Sequence, residues 1–195
     1  MEENNEIHWN EQLERIVSNE VERALCYNWL HKQSEKKFNA LSIYIALPTI
    51  ILSTITGSAS IGSTSIFPDQ LVASMTIGMI SLSVAIFNSV SNYFAWTKRA
   101  ETHRISALTY GRLHRFVMIE LSLPRKERMN AKDTLKMVRE QLDRLQETSP
   151  PIPDDIIRLF NKRFEKGTDD VSKPLETNGL DPINVYHPLN DTHTP

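Results

Sequence analysis

The chain has 195 residues, of which 24% are charged and 40% are apolar, and these averages alone would describe an ordinary soluble domain. A single cysteine, Cys26, excludes a disulfide framework or a cysteine zinc site, and a net charge of −2 gives no overall attraction to nucleic acid. The charge is unevenly spread, because the 60 residues from Phe38 to Thr97 hold one formal charge, Asp69. Such a stretch is typical of a membrane protein.

The N-terminal residues 1–37 are predicted to form a cytoplasmic amphipathic helix. Apolar residues recur at helical spacing along one face: Leu13, Ile16, Val17, Val21, Ala24 and Leu25. We expect this helix to run into the first apolar segment with little interruption. Because the segment is mostly polar and acidic, we expect no cleavable signal peptide.

Two apolar segments, residues 38–57 and 70–96, reach the roughly 20 residues that a membrane-spanning helix needs. Pro48 is predicted to kink the first helix. Residues 58–69 are rich in Ser and Gly and contain Pro68, which predicts a short external loop. The alternative is a pair of helices buried in a soluble bundle, but the rest of the chain has little apolar surface to cover them.

Basic residues flank the two segments on the side away from the loop. They are Lys32, Lys36 and Lys37 before the first segment, and Lys98, Arg99 and Arg104 after the second. The loop carries no Lys or Arg. Positive charge stays on the cytoplasmic side of membranes, so we expect a multi-pass protein with both termini in the cytoplasm.

Each predicted span carries a stripe of small or polar residues at helical spacing. On the second span the stripe is Ser74, Gly78, Ser81, Ala85, Asn88 and Asn92, and on the first it is Ser42, Ala46, Thr49, Ser53 and Thr56. Small residues allow close helix packing, so the stripes are expected either to pack the hairpin or to line a pore in an oligomer. The spans hold no ionisable residue, which argues against a proton pump and against a charged selectivity ring.

Residues 97–166 are predicted to form a cytoplasmic helical region. The helical period continues from the second span to about Leu123, along a polar seam that includes His103, Tyr110 and His114. A further helix is expected from Asn130, its N-cap, to the Pro-rich break at 149–153, followed by a short helix from Asp154 to Gly167. Residues 167–195 are predicted to be a disordered acidic tail.

The sequence offers no catalytic constellation, so we expect neither an enzyme nor a cofactor or metal site. His103 and His114 lie 11 residues apart, about 16 Å along a helix, and cannot reach one metal ion. Cys26 and His31 point in different directions on their helix, which argues against a nucleophile and its base.

The chain resembles the SLATT domain family over about residues 10–166. The resemblance is carried by the sequence Trp-Thr-Lys-Arg-Ala at 96–100, by His103, Tyr110, Leu113 and Arg115, and by the Ser-Pro-Pro-Ile-Pro break at 149–153. It implies a two-span membrane effector that forms pores, linked in bacteria to cyclic-nucleotide or other ligand-sensing conflict systems. This sequence has no fused nucleotide synthase or sensing domain, so the resemblance implies a separate sensor or signalling protein.

These observations predict an all-α membrane protein in which a two-helix transmembrane hairpin joins long cytoplasmic helices that form a helical bundle. The expected function is that of a homo-oligomer whose cytoplasmic helices control a pore, with the lipid bilayer and further copies of the chain as partners. The alternative is a membrane-anchored scaffold or structural membrane component that recruits partners through its cytoplasmic helices and tail.

Overall fold

The computed structural model describes residues 7–62, 69–164 and 172–178, and this part of the chain is helical with no strand. Besides a 3-10 turn at Arg125–Glu127, its helices are α1 (Glu11–Ile61), α2 (Gln70–Phe94), α3 (Trp96–Ser122), α4 (Ala131–Thr148), α5 (Asp154–Arg163) and α6 (Leu175–Asn178). The fold class predicted from the sequence is therefore confirmed at the level of an all-helical protein with two long apolar helices.

Helix α1 joins the predicted N-terminal helix and the first apolar segment in one rod of 51 residues, about 77 Å long. The Asn10 side chain caps it by accepting a hydrogen bond from the Leu13 amide at 2.8 Å. Pro48 lies inside the helix, which continues past the predicted end at 57 to Ile61. Of the predicted loop at 58–69, residues 63–68 lie outside the described residues.

Ala95 separates α2 from α3, so the predicted uninterrupted helix through this point is wrong. Its φ of 48° places it in the left-handed region, alone among the non-glycine residues that the structure describes. Its amide still donates to the Ser91 carbonyl at 3.0 Å, and its carbonyl accepts from the Arg99 amide at 3.0 Å. The second apolar helix is therefore interrupted at one left-handed residue whose own two helical hydrogen bonds are kept.

Helix α1 runs antiparallel to α3, as shown by the contacts of Ser42 with Thr97 and of Tyr27 with Tyr110, and its end at 54–59 lies beside residues 76–80 of α2. This hairpin divides the chain into an apolar half, residues 38–61 and 70–96, and a polar half, which is the remainder. Both long helices are long and apolar enough to cross a membrane, and only 11% and 6% of their most apolar windows are buried within the chain. The alternative of two helices buried inside a soluble bundle does not fit this single chain.

The core lies in the polar half, where α4 and α5 pack against α1 and α3. It contains Val17, Val21, Leu30, Tyr110, Val117, Val138, Leu145, Ile156 and Phe160. Trp29 meets Phe160 and Phe164 edge to face, at centroid distances of 5.5 and 5.4 Å. Asn130 caps α4 as predicted, by accepting from the Lys132 amide at 2.9 Å.

Polar contacts close both ends of this core. Glu14 binds Arg125 through two hydrogen bonds and Arg128 through one of 2.6 Å, and the Arg125 bond is the main reason that the pKa of Glu14 falls to about 2. At the end near the apolar half, Lys37 binds Asp155 at 2.6 Å. These pairs connect the start of α1 to the segment between α3 and α4, and the middle of α1 to α5.

Candidate functional site

A column of aromatic rings fills the interface between α1 and α3 where the polar half meets the apolar half. Its order is Phe38, His103, His31, Tyr110 and Tyr27, and neighbouring ring centroids lie 5.1 to 5.6 Å apart. Two members of the predicted polar seam, His103 and Tyr110, are each 1% exposed. The seam is therefore the buried face of α3, and α1 supplies the rings between and beside its residues.

The centre of the column is a hydrogen bond between two histidines. The Nδ1 atoms of His31 and His103 lie 2.8 Å apart, and both side chains are 1% exposed. One Nδ1 must carry the proton and donate it while the other accepts, so the two neutral rings hold opposite tautomers. The contact joins residues 72 positions apart in the sequence.

The surroundings of the pair favour the neutral form of both rings. Burial lowers the pKa of His31, and the neighbouring His103 lowers it further. Burial also lowers the pKa of His103, and the Arg99 guanidinium adds to the effect. The site is therefore a neutral hydrogen-bonded bridge between the two helices near pH 7.

Asn28 packs tightly against α3 beside the histidine bridge. The Asn28 amide donates a hydrogen bond to the Ala107 carbonyl, across the interface. A Cβ atom added to Gly111 would lie 2.7 Å from Asn28 Nδ2, so any larger residue at this crossing must displace the Asn28 amide. The predicted seam residue His114 lies one turn beyond Tyr110 and is half-buried, and burial lowers its pKa.

Residues 172–178 contact α1 at Glu22, Cys26 and Tyr27, which differs from the disorder predicted for the tail. The Tyr27 hydroxyl donates to Glu176 at 2.6 Å, and the Ser172 amide donates to Glu22 at 2.9 Å. Burial raises the pKa of the adjacent Cys26 thiol to about 11, so this cysteine is a weak nucleophile. Tail residues 167–171 and 179–195 lie outside the described residues. The predicted end of α5 at Gly167 is among them.

The stripe on α2 faces away from α1. Ser74, Gly78, Ser81, Ala85, Asn88 and Asn92 are all exposed, while the cleft between α1 and α2 is lined instead by Thr54, Ile55, Ser58, Ala59, Thr76, Ile77 and Ile80. Within the described residues, the Asn88 and Asn92 side chains make no hydrogen bond. Plain packing of this hairpin therefore leaves the α2 stripe uncovered.

The stripe on α1 is partly buried within the chain and partly exposed. Thr49 is buried and Ser42 and Thr56 are half-buried, whereas Ala46 and Ser53 are exposed. Thr49, Ser53 and Thr56 donate to carbonyls one turn earlier in their own helix. Ser42 Oγ lies 2.8 Å from Thr97 Oγ1 and makes the stripe's cross-helix hydrogen bond.

The described residues contain no group of three or more His, Cys, Asp or Glu side chains that could hold a metal ion. The histidine pair is a two-nitrogen cluster whose atoms point at each other. This arrangement can couple a movement of α1 to a movement of α3, because their side chains pack together and share one hydrogen bond. That bond depends on the protonation of the two histidines.

Geometry and composition thus define the class: an all-helical chain with two helices apolar enough for a membrane and a packed polar half beside them. Comparison with family models, with curated proteins and with solved structures finds no match to this chain. The SLATT resemblance rests on the residues quoted above.

Proposed function

We propose that the protein is a homo-oligomeric two-span membrane protein whose polar half controls a pore. The carrying observation is the exposure of the whole α2 stripe in the single chain, including the amides of Asn88 and Asn92. Hydrocarbon offers these amides no hydrogen-bond partner, whereas a further copy of the chain or a water-filled axis does. The stripe therefore faces other copies, and the larger apolar side chains face lipid.

The exposed apolar side chains support the choice of lipid as the surrounding medium. Tyr44, Leu71, Met79 and Leu82 are 76%, 66%, 70% and 64% exposed. A water-soluble monomer rarely leaves so large a continuous apolar surface uncovered. In this proposal both termini lie in the cytoplasm, because the basic residues flank the apolar half on one side.

Control by the polar half is supported by the position of the aromatic column. Phe38 and His103 stand where α1 and α3 leave the apolar half, so a shift between the polar helices reaches both apolar helices directly. Ala95 lies between the stripe and the column, at the left-handed junction of α2 and α3. We infer that a separate sensor or signalling protein acts on the polar half, as the SLATT resemblance implies.

The test is purified full-length protein in liposomes that contain a self-quenching dye. Wild type is expected to form oligomers in lipid nanodiscs and to release dye under at least one activating condition. Replacing both Asn88 and Asn92 with Leu is expected to change the rate of release, and Ser83→Leu, at an exposed polar residue off the stripe, is the control. A strict monomer without leak would contradict the proposal.

A membrane-anchored scaffold is the second candidate, favoured by a groove of about 740 Å³ between α1 and α4. Its floor is apolar, with Tyr27, Tyr110 and Leu142, and its rim carries both Arg23 and Glu140. Such a concave surface suits a partner helix. Leu142→Gln in the groove floor separates the two candidates, because a scaffold that binds its partner in this groove loses the partner, while a pore still conducts.

A further inference from the structure

The two helices of the hairpin bring their flanking basic residues to one level. The Ser42–Thr97 contact of 2.8 Å aligns α1 with the start of α3. Just beyond it, the Arg99 guanidinium carbon lies 5.9 Å from the Phe38 ring centroid. Lys36 on α1 and Lys98 on α3 stand within one helical turn of this level. We call Lys36, Lys98 and Arg99 the basic belt.

Aromatic side chains mark the same level from the apolar side. Tyr93, Phe94 and Trp96 form a contiguous group, with Tyr93 83% exposed and the Phe94 and Trp96 rings stacked at 4.9 Å. Tyr and Trp favour the boundary between hydrocarbon and headgroups, where an apolar ring and a polar edge are both accommodated. If α2 crosses a bilayer, the belt lies at its headgroup layer.

The belt differs from two neighbouring basic residues in its charge pairing. Lys37 is paired with Asp155 and Arg104 with Glu101, each at 2.6 Å. The three belt side chains are exposed, and none has an ion pair with another residue that the structure describes. Three positive charges at a headgroup layer attract phosphate groups of opposite charge, by about a factor of five for each base.

We propose that the basic belt binds anionic phospholipid headgroups of the adjoining leaflet, and so selects the lipids that surround the hairpin. This inference rests on the membrane insertion assumed in the proposed function. Each belt side chain is exposed to the surroundings, so the belt meets several headgroups rather than forming one deep site. A change in the bound headgroups therefore acts beside Arg99 and Phe38, where the aromatic column begins.

Trp96 provides the readout. The full-length protein is reconstituted into phosphatidylcholine vesicles with a fixed fraction of phosphatidylglycerol, and either the zwitterionic or the anionic lipid carries bromine, which quenches nearby tryptophan. Trp96→Phe identifies the part of the signal that belongs to Trp96. Brominated phosphatidylglycerol is expected to quench Trp96 severalfold more effectively than its mole fraction predicts, and about 1 M salt is expected to reduce this excess by screening.

The decisive variant is Lys36→Gln with Lys98→Gln and Arg99→Gln. In this variant, brominated phosphatidylglycerol should quench Trp96 only in proportion to its mole fraction. The control, Lys132→Gln with Lys136→Gln and Arg139→Gln, removes the same charge from exposed positions on α4 and should keep the excess. Quenching by both lipids without preference in wild type, or an excess that survives in the belt variant, overturns the proposal. Absence of quenching by either lipid shows instead that α2 is not inserted, which overturns the proposed function as well.

Discussion

The Nδ1 atoms of His31 and His103 face each other at 2.8 Å inside an interface that excludes water. Neither imidazole can ionise there without losing hydration, and ionisation of both would place two positive charges in contact. The pair therefore holds α1 and α3 in register only while at least one nitrogen lacks a proton. This dependence makes the polar half sensitive to acid.

Acid is expected to destabilise the polar half below about pH 6.5. Both histidines have pKa values in the folded protein below the unfolded value, so the unfolded chain binds more protons as the pH falls through 6.5 toward the folded values. Each histidine then lowers the free energy of unfolding by up to about 1.4 kcal/mol per pH unit in that window. The thermal midpoint, followed by circular dichroism in detergent between about pH 7.5 and about pH 5, measures it.

Substitutions of the pair make that expectation specific. His103→Phe alone leaves the buried His31 nitrogen unpaired and should cost about 1–3 kcal/mol at neutral pH. The double variant with His31→Phe should recover much of this loss and flatten the acid dependence, apart from the contribution of His114. His8→Gln, at an exposed position, serves as the control. An unchanged pH profile in the double variant would rule out the histidine pair as its source.

The glycines at positions 111 and 78 distinguish contacts within the chain from contacts between chains. Gly111→Ala places a Cβ against Asn28, displaces the bond to the Ala107 carbonyl, and should destabilise the fold by about 1–3 kcal/mol. Nothing lies within 4 Å of a Cβ at Gly78, so Gly78→Leu should leave the thermal midpoint nearly unchanged.

The same Gly78→Leu variant should weaken oligomers if the α2 stripe packs against other copies, because a bulky side chain separates the helices. Cross-linking in nanodiscs measures the change. Gly57→Leu is the matched control. An added Cβ at Gly57 also has nothing within 4 Å, and Gly57 lies on α1, outside the α2 stripe. Equal oligomer yields for the two variants would count against the stripe as an interface.

Much of the secondary structure followed from local signals in the sequence. The lack of charge between Phe38 and Thr97 predicted two apolar helices, and Asn130 predicted the start of α4. On α4, Lys136 pairs with Glu140 and Arg139 with Asp143, each four residues apart and at 3.8 Å. These features depend on residues within one helical turn, where spacing alone determines the neighbours.

Features that depend on the pairing of distant segments were not predictable. His31 was not recognised as the partner of His103, because the contact requires the register of two antiparallel helices across 72 residues. Ala95 gave no signal for a break, since alanine is the best helix former and the left-handed region is typical of glycine. The stripes could be placed on faces, but the choice of which face meets α1 depends on the tertiary packing of both helices.

Ala95→Gly tests whether the left-handed backbone at the junction of α2 and α3 is strained. A left-handed alanine costs about 1–2 kcal/mol, which glycine removes, and the extra flexibility of unfolded glycine offsets part of the gain. We expect the variant to unfold at the same or a slightly higher temperature. Ala95→Pro should destabilise by about 3 kcal/mol or more, because proline cannot adopt a φ of 48° and cannot donate to the Ser91 carbonyl. A clear loss of stability in Ala95→Gly would show that the junction is not intrinsically strained.

Cys26 reports whether residues 172–178 stay on α1. Its side chain is 8% exposed, its Sγ lies 3.9 Å from the Ser172 carbonyl, and burial raises its pKa, so reaction with a maleimide should be slow in the wild type. Tyr27→Phe removes the hydrogen bond to Glu176 and should accelerate labelling of this single cysteine severalfold. Tyr44→Phe, an exposed tyrosine in the apolar half, is the control, and the labelling rate is read by intact mass. Identical rates in wild type and Tyr27→Phe would mean that the Tyr27–Glu176 contact does not hold the segment in place.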